Sequence, residues 1–233
     1  MSTQAQTAPP EDHLGMTEEQ WAQWQGYTRG FGEQDGNGVD VSLLRRNLRL
    51  SPWERLEKME RGRAFFKEDS MKPDNDFQRI IAALGASGLR FVVIGGIAMR
   101  LQGAAHSTDD IDFAFARDPQ NLEALVRALA PFHPRLRGAP AGLPFFWDLR
   151  TLQTSINMML ETDAGEVDLV GEPDGVASFE DLWEGATVMD RQGVPVRVAS
   201  VDALITMKRA AGRPKDYGHL LELERLRELR AGE

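Results

Sequence analysis

The chain contains no cysteine among its 233 residues. This absence excludes disulfide bonds, thiolate-bound zinc and cysteine nucleophiles, and it suits a reducing cytoplasm, where we expect the protein to work. Long apolar runs are missing too, so that no stretch of about 18 apolar residues could span a membrane. The N-terminus lacks both the basic start and the apolar core of a secretory signal.

Positive charge is scarce as well. The chain has 27 lysines and arginines against 36 aspartates and glutamates, a formal net charge of −9. Proteins that grip duplex nucleic acid are usually basic, which disfavours non-specific nucleic-acid binding, although a local basic patch could still hold an anionic substrate. P-loop, nucleophile-elbow and H-E-x-x-H motifs are absent, and the histidines lack the spacing of a zinc site.

The first 75 residues differ from the rest of the chain in composition and in their predicted secondary structure. Residues 1–14 are small and polar and are expected to be disordered, and a helix is predicted from Thr17. The segment GEQDGNG (32–38) predicts a turn, and SPWE from Ser51 matches the start of a second, capped helix. We treat residues 1–75 as a partly disordered, helical extension that either packs on the main domain or holds a partner.

From residue 77 onwards, segments with helical periodicity alternate with short segments that favour strands. The pattern predicts the α+β class: a small mixed β-sheet with flanking helices, in a domain spanning residues 76–233. The predicted helices are 77–88, 97–103, 121–132, 179–186, 201–212 and 216–229. The predicted strands are 89–96, 109–115, 151–160, 166–170 and the two arms of a hairpin around Gln192-Gly193.

Three aspartates on predicted strands are the candidate site residues. Asp110 and Asp112 alternate with apolar residues, so they share one strand face about 6.6–6.8 Å apart and repel each other. Taken alone, such a pair is usually a solvated face. Gly95-Gly96 ends a buried strand where a helix begins, which lets backbone N–H groups approach a phosphate. Asp168 stands between two apolar neighbours, where a metal or a proton transfer would explain a charge.

In this order, Gly95-Gly96, the run from Ser107 to Asp112, and Asp168 resemble the motifs of the DNA polymerase β-like nucleotidyltransferase superfamily. The closest likeness is to its AbiEii-like and minimal nucleotidyltransferase branch. The similarity extends over about residues 77–229, including LITMKRAAGRPKDYGHLLEL near the end. It implies the nucleotidyltransferase fold. The chain departs from the pattern by having Gly-Gly where relatives often have Gly-Ser, and His106 where many have arginine.

The resemblance also implies site roles. Asp110, Asp112 and Asp168 would hold two Mg²⁺ ions, with Mn²⁺ as an alternative, and Asp168 would orient or deprotonate the attacking hydroxyl. Asp109 points to the opposite strand face and is not counted as a ligand. The nucleotide would be bound by Gly95, Gly96, Ser107, Thr108, Lys208 and Lys215.

A basic run, KRAAGRPK (208–215), stands out in this acidic chain. One interpretation places Lys208 and Lys215 against the triphosphate or an anionic acceptor. The other is a solvated helix junction whose cations satisfy the helix dipole. His106 could hydrogen-bond a phosphate, but a partly exposed histidine without a role is favoured. Arg135 and Arg137 form a smaller basic loop that could guide an acceptor, and a solvated loop is favoured there.

The sequence therefore predicts an Mg²⁺-dependent nucleotidyltransferase that moves a nucleoside monophosphate from ATP or another nucleoside triphosphate to an acceptor hydroxyl. Through the resemblance, the acceptor could be RNA such as tRNA, a protein or a small molecule, and the chain could be the toxin of a toxin–antitoxin pair with an antitoxin partner. The alternative is a catalytically silent nucleotide-binding or protein-interaction module, with Trp21, Trp24 and Trp53 on a partner surface.

Overall fold

The computed structural model describes residues 32–66, 76–140, 142–214 and 216–232. These residues fall into two compact units, one ending at Leu43 and one starting at Leu44. The helix predicted from Thr17 lies outside the described residues, and a domain boundary at residue 75 stays a prediction. Among the described residues, no helix is both long and apolar enough to cross a membrane.

In the first unit, the turn predicted at residues 32–38 is confirmed. Asp35 Oδ1 accepts hydrogen bonds from the backbone N–H groups of Asn37 and Val39, at 2.8 and 3.0 Å. Asp40 Oδ1 then accepts from Leu43 N–H at the start of helix α1 (Val41–Leu48). Short carboxylate side chains stabilise both features because they satisfy backbone donors that the turn and the first helical residues leave free.

The second unit contains the remaining described helices and a seven-stranded sheet. The helices are α2 (Pro52–Phe66), α3 (Phe77–Ala86), α4 (Gly95–Gln102), α5 (Pro119–Leu129), α6 (Leu149–Thr154), α7 (Phe179–Glu184), α8 (Val201–Ala211) and α9 (Asp216–Ala231). The strands are β1 (Phe91–Ile94), β2 (Asp110–Phe115), β3 (Arg135–Leu136), β4 (Asn157–Thr162), β5 (Gly165–Val170), β6 (Thr187–Arg191) and β7 (Val194–Val198).

The sheet order is β3-β4-β5-β2-β1-β7-β6. The β2–β5 and β1–β7 pairs are parallel and the other pairs are antiparallel. The predicted α+β class, a mixed sheet with flanking helices, is thereby confirmed. The hairpin predicted around Gln192-Gly193 joins β6 to β7, and both residues have positive φ, as a tight two-residue hairpin turn requires.

Local capping accounts for where several helices begin. At α2 the predicted capping box forms: Ser51 N–H donates to Glu54 Oε2 at 2.7 Å, and Glu54 N–H donates to Ser51 Oγ at 3.3 Å. Like α1, five further helices start after an aspartate or serine whose side chain accepts a backbone hydrogen bond from the third residue on. These caps are Asp76, Asp118, Asp148, Ser178 and Ser200.

The strand predicted at residues 151–160 is wrong in its first half. Residues up to Thr154 belong to α6, and β4 begins only at Asn157. The physical reason is the cap: Asp148 accepts from Thr151 N–H at 2.8 Å, which starts a helical turn that the alternation of apolar residues did not reveal.

One apolar core joins the sheet to the helices of the second unit. It runs from Leu56 and Met59 of α2 through the sheet to Leu223 and Leu226 of α9. Strand β2 shows how the core positions a polar face, because Ile111 and the phenylalanines that alternate with its aspartates are at most 1% exposed. Burying that side of the strand commits the aspartates to the other side.

Candidate active site

The parallel pairing of β2 and β5 brings four carboxylates onto one face of the sheet. Asp112 lies opposite Asp168, and Asp110 lies opposite Glu166. Residues two apart on a strand point to the same face, and neighbouring strands are about 4.8 Å apart. Three of these acids were predicted from the sequence, whereas Glu166 was not, because its place opposite Asp110 depends on the pairing of β5 with β2.

The three predicted acids line one cavity of about 500 Å³. The cavity is also lined by four of the six residues predicted to bind the nucleotide: Gly95, Gly96, Thr108 and Lys208. Of the other two, Ser107 is exposed and outside the lining, and Lys215 lies outside the described residues. Asp109 is exposed and does not line the cavity.

The glycine pair lets the chain turn from β1 into α4 close to the carboxylates. Gly95 has φ +63°, and a Cβ at this position would collide with the Asp112 carboxylate. A Cβ at Gly96 would lie 2.6 Å from Thr108 Cβ. Thr108 Oγ1 in turn donates to Asp110 Oδ1 at 2.6 Å. Only glycine therefore permits this close approach of backbone to carboxylate.

Asp112 is the acid that the fold makes hardest to ionise. Burial, then the charges of Asp110 and Asp168, raise its pKa to about 7, although Lys208 and a hydrogen bond from the Gly96 backbone act in the opposite direction. A carboxylate in this position resists ionisation because the interior solvates charge poorly and like charges are close by.

Arg137 is a site residue that the sequence interpretation missed. Its Nη1 donates to Glu166 Oε2 at 2.8 Å, and its Nη2 lies 2.8 Å from Asp168 Oδ1 and donates to Oδ2 at 3.0 Å. Arg137 is placed by β3, since its N–H donates to the carbonyl of Met159, the residue opposite Asp168. The prediction of a solvated loop is wrong for Arg137, whose side chain is 23% exposed.

Arg137 forms ion pairs with two acids of this face, Glu166 and Asp168, and these pairs affect the pKa values of the groups involved. The pKa of Asp168 is raised by burial, and Arg137 opposes that shift without cancelling it. Burial lowers the pKa of Arg137, but attraction to Asp168 and Glu166 outweighs it and leaves the pKa raised. Arg137 therefore stays charged and offsets the negative charge of both Asp168 and Glu166.

The carboxylates fit a hard divalent cation by their donor chemistry, since such ions prefer oxygen ligands. Asp168 Oδ1 is a buried oxygen, and Arg137 Nη2 lies 2.8 Å from it as an ion-pair partner. In the arrangement observed, no group of three His, Asp or Glu side chains among the described residues is ready to hold a metal ion, and Asp168 is engaged by Arg137.

The far wall of the cavity is built around a buried acid, Asp216, which is 1% exposed. Lys208 Nζ donates to its Oδ1 and Arg213 Nε to its Oδ2, both at 2.8 Å. Although burial raises the pKa of Asp216, these two cations lower it to about 2. Lys208 is not the solvated cation of the second interpretation, because its side chain is 13% exposed and pairs with Asp216 at the α8–α9 junction. It also lines the cavity, and its contact with a triphosphate stays a prediction.

His106 and His219 also line this cavity, with their ring centres 4.0 Å apart. Burial, then the charges of His219 and Lys208, lower the pKa of His106 to about 4, so this ring is neutral at pH 7. His106 is partly exposed, as expected, and its side chain forms part of the cavity wall.

No protein-family model and no curated protein matches this chain. Among solved structures, ANT(2″)-Ia in complex with adenylyl-2″-tobramycin is 18% identical with a TM-score of 0.41, covering 64% of this chain and 84% of that one. A nucleotidyltransferase-like protein from Paracoccidioides brasiliensis is 15% identical with a TM-score of 0.39, covering 66% and 75%. At TM-scores below 0.5 these similarities establish neither fold nor activity, and the geometry of the site has to carry any function.

Proposed function

We propose that this chain is a divalent-cation-dependent nucleotidyltransferase that moves a nucleoside monophosphate from a nucleoside triphosphate to an acceptor hydroxyl. The observation that supports it most is the convergence of Asp110, Asp112 and Asp168 on one cavity beside the glycine turn at Gly95. The raised pKa of Asp112 indicates that keeping this acid in a buried position lowers the stability of the folded protein. A cation-dependent reaction would explain why the acid is present despite that loss.

In this proposal the same three carboxylates would hold Mg²⁺ or Mn²⁺. Bound there, such a cation supplies neutralisation of the triphosphate charge as it builds up on the leaving pyrophosphate. The chain itself positions the substrate: Lys208 and Arg213, the two cations that hold Asp216, both line the cavity, and Thr108 holds Asp110 in place.

The proposed step is an in-line displacement at the α-phosphorus. The acceptor oxygen forms a bond to the α-phosphorus, and the bond from that phosphorus to the bridging oxygen of the pyrophosphate breaks. The hydroxyl proton passes to Asp168 or to solvent, and pyrophosphate leaves with the electron pair. Asp168 suits the role of proton acceptor because its carboxylate is held at the edge of the cavity by Arg137.

The acceptor and the biological setting are part of the proposal. The net charge of −9 disfavours a large RNA, which leaves proteins and small molecules as the better-supported acceptors. The toxin role and the antitoxin partner that the resemblance implies stay predictions.

Transfer of label from α-phosphate-labelled nucleoside triphosphates to a pool of tRNA, protein and metabolites, with Mg²⁺, tests this function. We expect Asp110→Asn and Asp112→Asn each to lower transfer by about 100-fold or more, the scale on which loss of electrostatic stabilisation acts. Asp109→Asn is the matched control, since it removes a neighbouring charge outside the cavity, and it should stay within twofold of wild type.

Equal transfer by all three variants would contradict the proposal. Calorimetry with ATP and Mg²⁺ distinguishes the proposed enzyme from the alternative, a catalytically silent nucleotide-binding or protein-interaction module. Wild-type protein that binds ATP and transfers nothing to any acceptor would favour the silent module.

A further inference from the structure

A second cavity of about 380 Å³ lies beside the cavity that holds the carboxylates. The two cavities share three lining residues, Arg137, Asn157 and Met159. Because the same side chains form a wall of both cavities, a molecule in the second would lie directly next to the carboxylate face. The size falls in the range of about 300–1,000 Å³ that is typical of small-molecule sites.

The second cavity has a neutral, largely apolar lining. Its one charged lining residue is Arg137, which is already paired with Glu166 and Asp168. Other lining residues are apolar or carry neutral polar groups, among them Leu136, Phe145, Met158, Thr151 and Ser155. A polycation would find no carboxylate in this lining and an anion would find no unpaired cation, so the chemistry favours an uncharged occupant.

Exposed apolar side chains are concentrated in the segment that forms this cavity. Six large hydrophobic residues are exposed in the described part of the chain, and four of them fall within residues 143–159. These four are Leu143, Phe146, Ile156 and Met159, with exposures of 50–71%. Met159 lines the cavity itself, and the other three lie within two residues of a lining residue in the chain. Apolar surface that stays exposed next to such a lining is typical of a binding site.

We infer that the second cavity is the acceptor subsite of the proposed nucleotidyltransferase, and that its acceptor is an uncharged hydroxyl compound with an apolar or aromatic face. This assignment rests on the proposed function. The apolar face packs on Met159 and Phe145, and the hydroxyl extends past Arg137 towards Asp168 and the α-phosphate. The oxygen bonds to the α-phosphorus, pyrophosphate leaves with the electron pair of the broken bond, and the proton passes to Asp168 or solvent.

Ligand-observed saturation-transfer NMR on the full chain tests the subsite. The probes are two neutral hydroxyl compounds, 4-nitrophenyl β-D-glucopyranoside and 2-phenylethanol, and one polycationic amino sugar, tobramycin. Ala139→Trp fills the second cavity from an exposed position, and Ala86→Trp is the matched control, because Ala86 is exposed and lines neither cavity. Affinity for ATP with Mg²⁺ is measured by calorimetry on the same three proteins.

We expect both neutral probes to receive saturation from wild type and from Ala86→Trp, and to lose it at least fivefold in Ala139→Trp. ATP affinity should stay within twofold in all three proteins. Equal signals in the two tryptophan variants, no signal from either neutral probe, or a signal from tobramycin alone would each overturn the assignment. Wild type that binds ATP but neither neutral probe contradicts the subsite only, whereas wild type that fails to bind ATP contradicts the proposed function itself.

Discussion

Asp112 lowers the stability of the folded protein at neutral pH, because its carboxylate is harder to ionise when the chain is folded. Its pKa of about 7 in the folded protein compares with 3.8 when the chain is unfolded. Below pH 4 it is protonated in both states and adds nothing to stability. Between pH 4 and 7 the unfolded chain releases the proton while the folded protein keeps it, so stability falls as pH rises and the loss is complete above pH 7.

The first prediction follows from that sign. In EDTA, Asp112→Asn should be more stable than wild type at pH 8 by a few kcal/mol, since each pH unit between two pKa values corresponds to about 1.4 kcal/mol. At pH 3, where Asp112 is protonated in both states, the two proteins should unfold at the same urea concentration. A stability difference that is the same at both pH values would contradict the prediction.

Arg137 offsets the negative charge of Glu166 and Asp168 on the same carboxylate face. Replacing it with methionine, of similar length, should destabilise the protein by about 1–3 kcal/mol at pH 7, because two partly buried carboxylates lose their cation. Arg135→Met is the control: the Arg135–Asp163 pair is exposed and should contribute less than about 1 kcal/mol. Urea unfolding measures both, and equal losses would refute the assignment of Arg137 to the site.

At the scale of elements, the junction of β1 and α4 decides how closely the backbone approaches the acids. The helix begins at Gly95 without a side-chain cap, directly after the strand that pairs with β2. Gly95 has a positive φ and no Cβ, and the contributions of these two features to stability can be measured separately.

Gly88→Ala measures the effect of the positive φ alone, because Gly88 has φ +72° and a methyl group added there would meet nothing within 4 Å. We expect it to cost about 1–2 kcal/mol, the penalty of a left-handed alanine. Gly95→Ala should cost more and should also weaken ATP binding with Mg²⁺ at least tenfold, because Asp112 has to move. The measurements are thermal unfolding and calorimetry, and an equal effect of both substitutions on ATP binding would contradict the prediction.

At the scale of the whole molecule, the core connects α2 to the sheet. Leu56 is fully buried and Met59 is 5% exposed, and both belong to the core that includes the strands. Arg55 Nε donates to Asn47 O, and Arg100 Nε donates to Arg55 O, which links α2 to α4.

A chain beginning at residue 76 should therefore be much less stable than one beginning at residue 44. The loss should be at least about 3 kcal/mol, since burying each of Leu56 and Met59 contributes about 1.5–3 kcal/mol. Urea unfolding of the two truncated chains checks this. Equal midpoints would mean that the domain does begin near residue 76, as the sequence alone predicts.

How much was predictable depends on the range of the interactions involved. The capping box at Ser51, the hairpin turn at Gln192 and the alternation along β2 are set by neighbours within a few residues, and all three are confirmed. The helix at Leu149 was missed because Ile156, Met158 and Leu160 alternate just beyond it, and the Asp148 cap that starts the helix lies outside the predicted strand.

By itself, the sequence determined which acids share a face along β2, because side chains two apart on any strand point the same way. Only the tertiary structure decided that β5 lies parallel to β2 with Asp168 opposite Asp112, and that Arg137 lies against Glu166. The reason is physical: register between strands distant in the chain depends on the packing of the whole sheet, which no local pattern encodes.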